Sequence, residues 1–212
     1  MKTRVTFLML VGCFWLNGCK SLPQVELRKI DVPEQQCEDF YAAFAYEFPD
    51  EIQFRHRLTK DGKDVLSSGV IQPIDGGGCY IAGYMSAGMT LYVAKSAGGR
   101  VDIIKNMMRV SDDRLKRLVL TDLLFLVDFP AAKCGKMYSR LEDNSQWGRI
   151  FNWDGEAEGY FVLGNQKRYF AVVTEGKLVC QYEFLDYDTK YPSVIVVRNH
   201  KYDYKSEIRI LN

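Results

Sequence analysis

Cys19 carries the most definite chemistry in this chain. It closes the segment Leu16-Asn17-Gly18-Cys19. Before it come a short cationic head, Lys2 and Arg4, and an apolar run from Val5 to Leu16. That run is too short to cross a bilayer, which takes about 20 residues. A cysteine placed after a small residue at the end of such a run reads as the site where a bacterial export signal is diacylated on sulfur. The chain is then cut on the N-terminal side of that cysteine. Asn17 stands where Ala or Ser is usual. The other reading is an ordinary secretory signal that happens to contain a cysteine. On the lipoprotein reading residues 1–18 are removed and Cys19 holds palmitate-like chains. Each methylene buried in a membrane contributes ~0.8 kcal/mol. Lys20 is not the Asp that retains lipoproteins in the inner membrane of enteric bacteria. The expected place is therefore the outer membrane, facing the periplasm.

The remaining reactive groups are sparse. Cys37, Cys79, Cys134 and Cys180 lie beyond the signal. An even number of thiols in an exported chain points to disulfides, and sequence leaves all three pairings open. No two are close in sequence and no His stands at ligand spacing, so no metal is expected. His56 falls on the apolar side of a strand pattern and reads as a hydrogen-bonded core residue. His200 sits in a polar turn. No GxSxG elbow, HExxH or phosphate-binding glycine loop occurs. Glu183, Asp186 and Asp188 do not supply the six or more oxygens that calcium takes. Tyr182, Tyr187, Tyr191, Tyr202 and Tyr204 read as sheet-surface aromatics. No catalytic group and no cofactor is expected. The chain has 28 Lys and Arg against 27 Asp and Glu, a balance that gives nucleic acid no concentrated positive field.

The elements around these residues follow from periodicity. Residues 19–32 read as a lipidated tether. From Pro33 to Pro49 the pattern is helical, with Phe40, Ala43, Phe44 and Glu47 on one side. Ile52, Phe54, His56 and Leu58 then alternate with polar residues, which is the period of a half-solvated strand. Asp61-Gly62 is a hairpin turn. Four more strand-like runs follow: Val65–Ile74, Cys79–Met85, Met89–Lys95 and Arg100–Lys105. At Ser111, a plausible N-cap, the period becomes helical and runs to Phe129. Its apolar arc, from Leu115 through Leu118 and Leu123 to Val127, is wider than one packing face can use. Asp122, Lys116 and Arg117 rule it out as a membrane span. Six more strand-like runs, beginning at Trp147, close the chain. The sum is a mainly β (α+β) domain over 33–212, with about eleven antiparallel strands. So large a sheet must curl. The two helices are placed over its concave face.

This layout resembles the LolA/LolB group of periplasmic lipoprotein carriers and receptors. The resemblance rests on the Leu16–Cys19 motif and the order helix, five strands, helix, six strands. It also rests on Gly88-Met89-Thr90-Leu91-Tyr92-Val93, which looks like an early half-barrel strand, and on Tyr191-Pro192-Ser193-Val194-Ile195-Val196-Val197-Arg198-Asn199, which looks like a late strand entered through a proline. The resemblance implies an eleven-stranded half-barrel with a helical lid over an acyl-chain cavity. Phe54, Leu91, Leu118, Leu123 and Phe170 are then candidates to line the cavity. It also sets Met85 and Met89 at the loop that meets membrane or partner, although no protruding Leu stands there. The implied function is binding of acyl chains, lipids or lipoproteins, with a possible role in their transfer to the outer membrane. The alternative is a non-catalytic envelope lipoprotein that serves as a structural or protein-interaction module.

Overall fold

The computed structural model describes residues 21–130, 135–150, 157–164, 167–186 and 190–211. Cys19, Cys134, Tyr187 and Asp188 lie outside them. One antiparallel sheet of thirteen strands organises the chain. Strand β1 is Leu27–Ile30 and helix α1 is Glu34–Ala42. A meander comes next: β2 (Ile52–Lys60), β3 (Lys63–Pro73), β4 (Cys79–Tyr84), β5 (Thr90–Ala97) and β6 (Arg100–Asn106). The central helical segment joins α2 (Asp112–Leu115), a π turn (Lys116–Leu120) and α3 (Thr121–Val127). A second meander completes the chain: β7 (Met137–Arg140), β8 (Gln146–Ile150), β9 (Glu158–Gly164), β10 (Lys167–Thr174), β11 (Lys177–Leu185), β12 (Val194–Asn199) and β13 (Tyr204–Ile210).

The two meanders fuse where β13 pairs with β2, in a register that sets Lys205 opposite Thr59 and Ile210 opposite Phe54. The sheet therefore runs from β1 at one edge to β6 at the other. The expectation of about eleven strands was two short. The missing pair, β1 and β7, are four residues each and bond to one another. The reading of 19–32 as tether is corrected from Pro23 onward. The Val25 amide bonds the Gly176 carbonyl at 2.8 Å, and the Leu178 amide bonds the Pro23 carbonyl at 2.8 Å. Val25 joins Trp147, Tyr160, Val162, Ala171 and Val173 in a small core of its own. Tyr160 and Val162 alternate with Phe161 of the main core, so strand β9 is buried on both faces.

Helix α1 ends at Ala42, short of the expected Pro49. The reason is aromatic. Tyr46 and Phe48, which a longer helix would turn apart, both pack against Phe129, at 5.5 and 5.4 Å between centroids. Helix α1 lies close on β8 at Gly148. A Cβ there would stand 2.5 Å from the Phe40 ring and 2.6 Å from the Tyr41 hydroxyl, so only glycine allows this approach. Ser111 caps α2 as expected, its hydroxyl accepting from the Arg114 amide at 3.3 Å. The π turn answers the over-wide apolar arc. An extra residue in one turn rotates the turns beyond it, and Leu115, Val119, Leu120, Leu123 and Leu126 all become buried.

Cys79 and Cys180 are buried free thiols, which removes both as disulfide candidates. They lie five strands apart in the sheet, roughly 24 Å along it at about 4.8 Å per strand. A disulfide needs the two Cα atoms within about 7 Å. Cys37 is disulfide-bonded, and its Sγ stands 3.7 Å from the Gly135 carbonyl oxygen.

Candidate functional site

The central helical segment is the piece that shapes the concave face. Its middle is packed on rings. Phe125 of α3 stacks on Tyr182 of β11 at 3.9 Å between centroids and 18° between planes. It also meets Phe170 of β10 at 5.2 Å. Phe44 stacks on Phe161 at 4.6 Å. No chamber opens beneath this stretch among the described clefts. Beside the rings sits a charge-bearing group. Asp122 is fully buried and accepts the Ser206 hydroxyl at 2.7 Å and the Tyr204 hydroxyl at 2.9 Å. Asn199 donates to Tyr204 Oη at 3.4 Å and accepts the Tyr202 amide at 2.9 Å. One chain of polar contacts thus runs from the helix interior to the turn between β12 and β13.

Burial pushes the Asp122 carboxyl up to about 7 from an ordinary 3.8, against the pull of the Ser206 and Tyr204 hydroxyls. The same desolvation raises the neighbouring Cys180 thiol and the Tyr182 and Tyr204 phenols. His56 is buried as expected, but not hydrogen-bonded as expected: its Nε2 has no partner among the described residues. Burial pushes that ring down to about 4. Tyr182 and Tyr204, read as surface aromatics, are instead buried. Glu183 is occupied by Lys167 at 2.7 Å and Arg198 at 3.8 Å.

Space opens at the two ends of the helical segment. Beyond α3 lies a cleft of about 500 Å³, lined by Phe44, Tyr46, Phe48, Cys79, Leu126 and Phe129 among others. Beside α2 lies a cleft of about 270 Å³. Leu58, Met108, Val110, Leu115, Leu118 and Val119 give it an apolar wall, and Lys60, Asp61, Lys63 and Arg114 also line it. A polar cleft of about 330 Å³ adjoins it, sharing Lys60 and Asp61 and adding Arg198, His200, Asp203 and Lys205.

Of the five cavity candidates, Leu118 alone lines a described cleft. Phe54, Leu123 and Phe170 are completely buried and Leu91 nearly so, packed as core with helix or neighbouring strands. Met85 and Met89 flank the β4–β5 turn, where the Met85 amide bonds the Met89 carbonyl at 2.9 Å. Both are exposed, as are Leu66, Ile104 and Met107. The sequence reading missed Asp122 as a site residue and missed the α2 cleft. The one available signal was a carboxylate inside an otherwise apolar helix.

No family model matches the chain, and no curated protein matches it. The solved structures that match it do so at low identity. One is a LolA superfamily protein. It is NE2245 from Nitrosomonas europaea, 11% identical, with 86% of this chain and 93% of that one covered and a TM-score of 0.46. A domain from Vibrio parahaemolyticus, named for outer membrane lipoprotein sorting, is 9% identical over 84% of this chain and 89% of its own, with a TM-score of 0.35. A DUF1329 family protein from Desulfovibrio piger is 14% identical over 86% and 92%, also at 0.35.

The buried carboxyl makes stability depend on pH with a defined sign. The folded chain keeps the Asp122 proton that the unfolded chain releases above about 4. This contribution is complete below the ordinary carboxylate value and is lost as pH rises through about 7. His56 acts in the opposite direction, losing stability as pH falls from about 6.5 towards 4. Asp122→Asn isolates the first effect. The stability of wild type relative to this variant, from urea unfolding, is expected to fall by about 2 kcal/mol between pH 5 and pH 8. A constant difference across that range would show that Asp122 does not hold a shifted proton.

Proposed function

We propose that this chain is a lipid-anchored envelope protein that faces the periplasm and takes an apolar chain into the cleft beside α2. The observation that carries the reading is that cleft. Leu58 of β2 and Leu115, Leu118 and Val119 of the helical segment line it, with Met108 and Val110 from the connection between β6 and α2. It lies at the same end of the sheet as the β2–β3 turn. Removing methylenes from water would drive binding, and no catalytic group is needed. The Leu16–Cys19 motif supports the anchor. Lys20 in place of Asp favours the outer membrane. Transfer of lipids or lipoproteins to that membrane is the further role proposed for the bound state.

A second reading has its own support. The space under α3 is filled by Phe125, Phe170 and Tyr182, and large apolar side chains stand exposed at Leu66, Met85, Met89, Ile104 and Met107. Those features suit a module that holds a protein partner.

Leu118 separates the two readings. It is only partly buried and lines the cleft, whereas a larger residue at the filled Leu123 site would overpack the core by about 1–3 kcal/mol. Leu118→Trp is expected to weaken a fluorescent fatty-acyl probe at least about fivefold, roughly 1 kcal/mol, with the urea midpoint unchanged. Unchanged affinity, or no binding by wild type, would favour the partner reading. Cys19→Ala tests the anchor. Expressed with its signal, the variant is expected to leave the membrane fraction and lose acyl label. A variant that is still acylated and still sediments with membranes would contradict the assignment.

A further inference from the structure

The α2 cleft has a cationic side that the apolar-chain reading does not use. Lys60, Lys63 and Arg114 line it beside a single acid, Asp61. The adjoining polar cleft continues this bias, with Arg198, Lys205 and His200 against Asp61 and Asp203. Lys60 and Asp61, at the end of β2, line both clefts, but Arg198 and Lys205 stand on the other face of the sheet: Lys205 pairs with Thr59 and Arg198, whereas Leu58 pairs with Ser206 on the helix side. Some of these cations are already engaged. Lys60 Nζ donates to the Tyr202 carbonyl, and Arg198 lies 3.8 Å from Glu183. Lys63, Arg114 and Lys205 are exposed and make no side-chain ion pair among the described residues. His200 is closed to a ligand. Its Nε2 is sealed from solvent with no hydrogen bond among the described residues.

Size narrows the choice further. A volume of 270 Å³ holds about nine water-sized groups at roughly 30 Å³ each. That seats the nearer part of one dodecyl chain, whose remainder would lie outside the cleft. A charged headgroup is drawn to the sign that opposes it, and the attraction weakens with salt where the cations are exposed.

Resting on the reading of this cleft as an apolar-chain site, we infer that its ligand is a single-chain amphiphile with an anionic, phosphate-type headgroup. The chain lies against Leu115, Leu118 and Val119. The headgroup is met by Lys63 and Arg114, which line the same cleft.

The test uses chain-matched probes below their micelle concentrations and the folded domain that begins at Lys20. Dodecyl phosphate, neutral monolaurin, dodecyltrimethylammonium and inorganic phosphate are titrated by calorimetry in low and high salt. Dodecyl phosphate is expected to bind at least about tenfold tighter than monolaurin, with the cationic probe weakest and inorganic phosphate alone undetectable. High salt should shrink that preference. In Lys63→Gln/Arg114→Gln, dodecyl phosphate should fall to within about twofold of monolaurin while monolaurin is unchanged. Equal affinity for dodecyl phosphate and monolaurin in wild type would overturn the headgroup inference and leave the apolar-chain reading intact. Inorganic phosphate binding as tightly as dodecyl phosphate would also overturn it, because the site would then serve a free anion. Binding of none of the three amphiphiles would overturn the apolar-chain reading and this inference together.

Discussion

The contact on which the concave face depends is the buried carboxyl of Asp122 with the hydroxyls of Ser206 and Tyr204. A carboxyl without partners in such a place would cost several kcal/mol. Two hydroxyls from one strand offset that cost only in one position of the helix. Apolar packing tolerates a slide of part of a turn, because one leucine can replace another against a ring. The polar contact does not. It therefore sets the position of α3 on β13, and through α3 it sets how far the helical segment extends towards each end of the sheet. The clefts lie where that extent stops.

The rings and the carboxyl divide the work. Phe125, Phe170, Tyr182 and Phe184 pack together under α3 and close the space there. Asp122 supplies direction. The polar contacts continue through Tyr204 and Asn199 to the turn after β12, whose residues wall the polar cleft of about 330 Å³.

Much of this was legible in the sequence. Period-2 alternation located β2, and the Asp61-Gly62 turn, with φ of 51° and 71°, marked its hairpin. Ser111 announced its cap. What escaped notice was non-local. Strands β1 and β7 are too short and too polar to show a period, and they exist because each gives the other a partner across more than a hundred residues. Tyr182 and Tyr204 looked like surface aromatics because nothing near them in sequence tells which face of a two-sided sheet a helix will cover. Asp122 was visible as an acid in an apolar helix. Its partners lie 82 and 84 residues away, and only the pairing of β13 with β2 brings them in. The π turn was hidden for a similar reason: the apolar arc was too wide for an α-helix, and the sequence did not say whether a cavity or a change of winding would absorb it.

A double-mutant cycle between Asp122→Ala and Tyr204→Phe, read by urea unfolding at pH 6, tests the central contact most directly. The expected coupling is about 1–3 kcal/mol, because Tyr204→Phe removes little further once the carboxyl has gone. Losses that add within about 0.3 kcal/mol would mean that the helix is held by its rings alone, and would contradict the positioning role of Asp122.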